Sequence, residues 1–309
     1  FIQIMFTNKV ILITGGTGSF GSKFCETIFL NYKQIKKLII FSRDELKQFE
    51  MMNIYKDKPY YGKMRFFLGD VRDKERLDMA LRDVNIVIHA AALKHVPSSE
   101  YNPFETIKTN VMGTQNVIES CIKNNVEKLI TLSTDKASSP INLYGATKLL
   151  ADKMTVAAEN FKGKAKLISS VVRYGNVLAS RGSIVPILLK SKNKKKFKLT
   201  HKDMTRFNIT LKEAINLVIF AIKNSKGGEI FVPKLPSYKL IDLASAIMPK
   251  TKISFSGIRP GEKIHEEMIS FTESLNTIEF KSHYVILPSF KSNKMNSYIK
   301  RNGGKKTIK

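Results

Sequence analysis

A doubly wound, parallel α/β sheet followed by a smaller α/β domain is the fold that the sequence predicts. Three observations carry it. Apolar runs of strand length recur through the first half, each separated from the next by a helical pattern. A glycine-rich turn joins the first run to the first helix. After Tyr174 the alternation gives way to short apolar pieces set among Pro, Gly and Lys.

The first run, residues 9–14, is continuously apolar, as a strand buried on both faces must be. Further strands are expected at 37–41, 64–68, 85–89, 128–132 and 166–172. The first helix carries Phe20, Phe24 and Ile28 at four-residue spacing. A long helix before the fifth strand is expected to bury Ile107, Val111, Ile118 and Ile122, and another begins near Asn142. Strands joined through helices imply right-handed crossovers, hence a parallel Rossmann-like sheet. We assign 5–174 to a dinucleotide-binding domain and 175–309 to a smaller substrate-binding domain. A helix at 211–223 is expected to pack back on the first domain. The stretch from Lys281 is basic and weakly patterned.

Composition narrows the function classes. A chain of 309 residues with 43% hydrophobic residues can bury a sizeable core. No apolar run approaches the roughly 20 residues that span a bilayer, so membrane insertion is not expected. Nothing precedes or follows Phe1–Ile4 that would make it a signal peptide, and Met5 reads as the natural start. Cys25 and Cys121 read as small buried side chains, not a disulfide, which fits the cytoplasm. The formal charge of +26 comes from 42 Lys against 10 Arg. Readers of bases and phosphates favour the planar fork of Arg, so a nucleic-acid partner is not expected. The positive field instead favours an anionic small substrate, and the dense run from Lys190 to Lys198 reads as a solvated loop. Five scattered His and two Cys form no metal-ligand cluster.

Residues 14–21, with Gly15, Thr17, Gly18, Ser19, Phe20 and Gly21, form the turn between first strand and first helix. Its glycines permit a tight turn, close approach of a pyrophosphate, and packing of helix on strand. The free amides and positive end of the helix then meet the anion. At the end of the second strand stands Ser42-Arg43-Asp44, with Lys47 one turn on. A cation where an acidic residue would hold a ribose hydroxyl favours NADP, with Ser42 and Lys47 assisting. The alternative is that Arg43 merely pairs with Asp44 or Glu45. Asp70 and Val71 are placed to meet the adenine, and Ala90, Ala91 and Ala92 lie beside the cofactor.

Tyr144 and Lys148 fall one turn apart on one helix face. A lysine there lowers the phenol's pKa, and the tyrosinate takes a proton as hydride leaves for the nicotinamide. Thr134 supplies a hydroxyl beside them, and Leu132 and Ser133 end the strand that carries it.

Several strings together carry a family resemblance: Ser42–Gln48, Ala92–Pro97, Ser133–Ala137, Pro140–Lys148, Val172–Val177 and Gly257–Lys263. Across about 9–288 the chain resembles the inverting UDP-N-acetylglucosamine 4,6-dehydratases that begin pseudaminic acid biosynthesis, within the extended short-chain dehydrogenase superfamily. The decisive position is Lys136. Dehydratases that retain configuration at carbon 5 typically read Thr-Asp-Glu there, whereas this chain reads Thr134-Asp135-Lys136. Larger membrane-anchored relatives usually carry Met in place of Tyr144.

The resemblance implies a lyase that binds NADP and UDP-N-acetylglucosamine and works as a homo-oligomer. Tyr144, supported by Lys148 and Thr134, would deprotonate the carbon 4 hydroxyl. Lys136, made neutral by a lowered pKa owed to Lys148 and the nicotinamide, would take the carbon 5 proton. Asp135 would protonate the departing carbon 6 hydroxyl. The expected product is UDP-2-acetamido-2,6-dideoxy-β-L-arabino-hex-4-ulose. The resemblance also implies that Lys94, Asn176, Thr200, Arg259 and Glu262 line the substrate site. His89 and His95 are expected to pack or face the cofactor.

Three departures from the family pattern stand out. Asn208 replaces a bulky aromatic, which would loosen a substrate wall. Ser98-Ser99 and Ser138-Ser139 differ with little expected consequence. The chain stops at a Gly303-Gly304-Lys305-Lys306 stretch, short of the relatives' tail, and reads as truncated. Two other functions compete: a nucleotide-sugar 4-epimerase, which needs Tyr and Lys but no Asp-Lys pair, and a non-catalytic NADP-sensing protein, which would commonly lose the Tyr and Lys.

Overall fold

The computed structural model describes residues 3–178, 180, 183–290 and 295–307, so Phe1 and Ile2 of the opening segment lie outside the described residues. Six parallel strands form the first half: β1 (Val10–Thr14), β2 (Lys37–Ser42), β3 (Met64–Leu68), β4 (Ile86–His89), β5 (Lys128–Thr134) and β6 (Ile168–Tyr174). Their spatial order is β3-β2-β1-β4-β5-β6. The order reverses between β1 and β4, and in open α/β sheets the carboxyl ends at that reversal make the ligand crevice. All five residues of β1 are buried because helices cover both sheet faces. The expected strands are present within one or two residues. β5 runs on to Thr134, which aligns with Tyr174 of β6 and carries the strand into the crevice.

The helices between these strands are α1 (Ser19–Asn31), α2 (Glu45–Tyr55), α3 (Lys74–Ala80), then α4 (Val96–Tyr101), α5 (Pro103–Ile107) and α6 (Gly113–Lys123), and α7 (Leu143–Phe161). Asn142 caps α7, its Oδ1 accepting from the Gly145 amide at 2.8 Å. The long helix expected before β5 starts at Pro103 and runs to Lys123, with a π turn at Lys108–Met112 inside it. The wide turn rotates the buried face. Ile107, Val111 and Ile122 are only half-buried, while Thr109, Asn110, Gly113, Thr114, Val117 and Cys121 are covered. Small residues are needed there because a Cβ at Gly113 would come within 2.7 Å of Val71.

The chain beyond Tyr174 builds a cap and also returns to the main sheet. The cap holds β7 (Asn176–Val177), α8 (Ile184–Lys190), β8 (Lys196–Leu199) and β9 (Thr205–Ile209). α9 (Leu211–Asn224) packs on the first half, as expected, with Ala214, Ile215 and Val218 in one core with Phe24 and Ile28. β10 (Ile230–Pro233) then pairs parallel to β6. β11 (Ser237–Lys239), α10 (Leu240–Ile247) and β12 (Lys252–Phe255) complete the cap, with β12 alongside β8 and β11 alongside β9. Next come α11 (Phe271–Ser274), β13 (Thr277–Glu279), β14 (His283–Ile286), α12 (Met295–Asn302) and β15 (Lys305–Lys306). β14, β13 and β15 extend the main sheet antiparallel beyond β10, giving ten strands among the described residues. The division at Tyr174 is therefore crossed by the sheet. The basic stretch from Lys281 is folded where described, with residues 291–294 outside the described residues.

A buried ion cluster ties these parts together. Arg173 of β6, with no exposed surface, bonds Asp152 of α7 at 3.1 Å and Glu273 of α11 at 2.8 and 2.9 Å. Burial pushes the Asp152 carboxyl up, against the pull of Arg173 and Lys148. Glu273 moves the other way, because Arg173 outweighs its burial. Removing the shared cation strands two buried carboxylates. Arg173→Met should cost about 3–5 kcal/mol in urea unfolding; a loss under about 1 kcal/mol would mean that the carboxylates find other partners.

Candidate active site

A large cavity of about 920 Å³ opens at the carboxyl ends of β1, β4, β5 and β6 and runs under the cap. Its first half is the glycine turn. Gly15 has φ +66°, and a Cβ there would sit 3.0 Å from the Ala91 backbone. A Cβ at Gly21 would lie 2.4 Å from the Gly16 oxygen, so only glycine lets α1 approach the turn. Gly15, Thr17, Gly18, Ser19, Phe20 and Gly21 all border the cavity, as do Ser42, Arg43, Asp44, Lys47, Asp70, Val71 and Ala90. This cradle, with the start of α1 facing it, suits a dinucleotide pyrophosphate.

The cations at the adenosine end have partners. Arg43, about half exposed, points a guanidinium nitrogen to Asp70 at 3.7 Å, not to Asp44 or Glu45. Lys47 closes on Asp44, which caps α2 through the Lys47 amide and is held below the usual carboxylate range by that contact. Ser42 bonds Thr17 at 2.8 Å. His89 is a buried packing residue between Thr14 at 2.8 Å and Thr114 at 3.1 Å, its pKa pushed down to about 3 by burial and then by Lys148. Cys25 and Cys121 are buried and unlinked.

At the centre, Thr134 at the end of β5 and Tyr144 of α7 stand side by side on the cavity wall. The Thr134 hydroxyl donates to Asp135 Oδ1 at 2.9 Å, and the same oxygen accepts from Lys136 Nζ at 3.1 Å. Lys136 Nζ also meets Glu266 Oε1 at 3.0 Å and Asn176 Oδ1 at 3.4 Å. Thr134, Asp135, Lys136 and Glu266 thus form one continuous chain of polar contacts, with Tyr144 beside it. Asp135 is the one predicted site residue set back from the cavity wall, fully buried behind Thr134 and Lys136.

Two electrostatic expectations need correcting. Lys136 was expected to hold a lowered pKa; it is raised. Burial lowers it, but Asp135 and Glu266 together outweigh that. Tyr144 was expected to be lowered by Lys148; it is pushed up to about 12, by burial first, with Lys136 and Thr134 only partly opposing. Lys148 points elsewhere, donating to the Leu132 carbonyl at 2.6 Å near Asp152, and it is Lys148 whose pKa falls, through burial.

Lys94, Asn176, Thr200, Arg259 and Glu262 border the cap side of the cavity. Arg259 stands 3.9 Å from Glu262, whose Oε2 is buried without a partner. Asn208 also lines the wall, on β9 opposite Asn176.

The relatives match this arrangement. A family described as "Polysaccharide biosynthesis protein" matches residues 11–288. A "UDP-N-acetylglucosamine 4,6-dehydratase (inverting)" of Campylobacter jejuni is 54% identical over 93% of this chain and 85% of its own. The chain belongs to this family. A family relative from Rickettsia canadensis, named "UDP-glucose 4-epimerase", is 42% identical over 91% of this chain and 84% of its own. The solved structure of Pen from Bacillus thuringiensis is 38% identical and superposes with a TM-score of 0.88, covering 92% of this chain and 91% of that one. The family resemblance and the Rossmann-like fold read from the sequence both stand.

Sequence reasoning missed Glu266 and Arg206 and gave too little weight to Ser138 and Ser139. Glu266 follows closely after the quoted Gly257–Lys263 string, and an acid beside a string already implicated was the available signal. Arg206, buried on β9, lines the cavity and lies 4.0 Å from Glu266. Ser138 and Ser139, expected to have little consequence, both donate to Glu267, at 3.3 and 2.7 Å, and so fasten the cap segment to the catalytic loop.

The start of α7 presses on that loop. A Cβ at Gly145 would come within 2.2 Å of the Lys136 carbonyl oxygen. Gly145→Ala should therefore lose roughly 1–3 kcal/mol of stability in urea unfolding, as overpacking does. Unchanged stability would show that α7 yields freely.

Proposed function

We propose that the protein is an NADP-dependent UDP-N-acetylglucosamine 4,6-dehydratase that inverts carbon 5 and supplies the first step of pseudaminic acid biosynthesis. The observation that carries this reading is the Asp135–Lys136 pair, 3.1 Å apart and in line with Tyr144 through Thr134. Oxidation at carbon 4 needs one base; elimination across carbons 5 and 6 needs a second base and an acid. The site supplies all three.

Bound NADP supplies hydride acceptance at carbon 4 and hydride return at carbon 6. Gly15, Gly18 and Gly21 would hold its pyrophosphate, Asp70 and Val71 its adenine, and Lys148 its ribose. Arg43, exposed and only 3.7 Å from Asp70, supports a 2′-phosphate over a free hydroxyl. Tyr144 would take the proton of the carbon 4 hydroxyl as the tyrosinate, a form that burial disfavours at rest and the cationic Lys136 favours. Lys136 removes the hydrogen of carbon 5, made acidic by the ketone beside it. The Asp135 carboxyl, set back behind Thr134 and Lys136, would pass its proton through the Thr134 hydroxyl, which lines the cavity, to the carbon 6 hydroxyl as it leaves as water. Arg259 and Lys94 suit the diphosphate, since fork and ammonium both match phosphate oxygens.

The Rickettsia relative's name favours the epimerase as a second reading. That reaction leaves Lys136 and Asp135 without work, and a buried ion pair is costly to keep idle. Free buried cysteines, and no described helix long and apolar enough to cross a membrane, support action in the cytoplasm. The continuous antiparallel sheet edge and the exposed Leu46 and Phe49 of α2 support assembly into a homo-oligomer.

Incubation with UDP-N-acetylglucosamine in deuterated water tests the reading. The expected product is a 4-keto-6-deoxy sugar with deuterium and inverted configuration at carbon 5, seen by NMR. A product changed only at the carbon 4 hydroxyl would replace this reading with the epimerase.

A further inference from the structure

We propose that Glu266 is a positioning residue that holds the Lys136 ammonium between two carboxylates, so that one proton hop from Lys136 to Asp135 prepares base and acid together. This rests on the dehydratase reading and deepens it.

The geometry begins with counting donors. An ammonium has three N–H groups and no acceptor. Lys136 Nζ has three acceptors around it: Glu266 Oε1 at 3.0 Å, Asp135 Oδ1 at 3.1 Å and Asn176 Oδ1 at 3.4 Å. All three protons are engaged, so Lys136 rests as a fully bonded cation without a lone pair. A base must first lose one of these protons. Asn176 cannot take it. Glu266 could, but a proton there would leave Asp135 an anion, unable to act as acid. Transfer to Asp135 alone makes both reagents: ammonium and carboxylate become amine and carboxylic acid, with no change of net charge. Lys136 then takes the carbon 5 proton, the electron pair moves to form the carbon 5–carbon 6 double bond, and the carbon 6–oxygen bond breaks as the Thr134 hydroxyl on the cavity wall protonates the leaving oxygen and is reprotonated by Asp135. The pair ends as ammonium and carboxylate again.

Glu266 keeps this hop in register. Its side chain is only 3% exposed, on a segment brought over from the cap. That segment is fixed to the catalytic loop at three points: Asn142 Nδ2 donates to the Gly261 carbonyl at 2.8 Å, Lys263 Nζ to the Ser138 carbonyl at 2.7 Å, and Ser139 Oγ to Glu267 at 2.7 Å. Arg206 lies 4.0 Å from Glu266, a second cation on its other side. Glu266 Oε2 and Asp135 Oδ2 are both buried without a partner. Without Glu266 the ammonium would have one anion only, and would close on it.

The charged and titratable groups facing Lys136 are Asp135 on its own turn, Glu266 from the cap segment, Tyr144 from α7, and Tyr238 from β11, with Arg206 of β9 behind Glu266. The sign follows. Two carboxylates hold the ammonium beyond the ordinary lysine range. At alkaline pH solvent removes the proton that Asp135 should receive, so the acid is missing and turnover falls. Neutralising Glu266 brings that loss to lower pH. Tyr144, at about 12, titrates above the window concerned.

The test is titration of the Lys136 amine by NMR of protein carrying isotopically labelled lysine, the signal assigned by its loss in Lys136→Arg. It is run on wild type and Glu266→Gln beside the pH profile of deuterium entry at carbon 5. The wild-type midpoint should lie above that of ordinary lysines. In Glu266→Gln both the midpoint and the alkaline limb should move down together by about one pH unit. A wild-type midpoint at or below ordinary lysines, or an unmoved midpoint in the variant, overturns the proposal. The titration needs no substrate. A displaced midpoint in an enzyme that leaves UDP-N-acetylglucosamine untouched would sink the dehydratase reading and leave the role of Glu266 standing.

Discussion

One ammonium among buried carboxylates organises this molecule. Lys136 sits where the end of β5, the start of α7 and a segment of the cap converge, and its three donors bind one acceptor from β7, one from its own turn and one from the cap. Leaving either carboxylate buried alone would be costly, so the cation joins the two halves. The local fold answers that demand. Gly145 lets α7 reach the Lys136 carbonyl, and Asn142 both caps α7 and grips Gly261.

A second ionic cluster supports the first from below. Arg173 joins Asp152 to Glu273, and Ser133 adds a bond to Asp152 at 2.8 Å. Asp152 sits one helical turn from Lys148, so Lys148 on the cavity wall and the Arg173 that holds α11 share one buried network. The sheet repeats the theme at larger scale. Chain that builds the cap leaves it to add β10, β14, β13 and β15 to the same sheet, which makes the cap an outgrowth of the first core.

Much of this was legible in the sequence. β1 to β6 announce themselves because a strand buried on both faces must be an apolar run. The glycine turn, Tyr144, Lys148 and Asn142 are local motifs whose spacing carries their meaning. What escaped is non-local. Strands such as Asn176–Val177 and Lys305–Lys306 are too short for a periodic pattern and exist through pairing with distant partners. Of the apolar face assigned to the helix before β5, Ile118 is fully buried, while Ile107, Val111 and Ile122 are only partly covered because the π turn inserts a residue into the helical count. The charge state assigned to Lys136 failed for a related reason: Glu266, its second anion, lies far along the chain, and neither motif nor spacing connects the two. Asp135, assigned as the acid for the carbon 6 hydroxyl, is fully buried, a depth that sequence does not reveal because it gives residue type alone.

The central claim is that Lys136 is the proton carrier at carbon 5 while Tyr144 serves carbon 4. Rapid mixing of the Lys136→Ala variant, loaded with NADP, with UDP-N-acetylglucosamine in deuterated water separates the two steps. The account predicts that the near-ultraviolet absorbance of reduced nicotinamide still rises, and that no deuterium enters carbon 5. Deuterium entry and keto-deoxy product at the wild-type rate would contradict it.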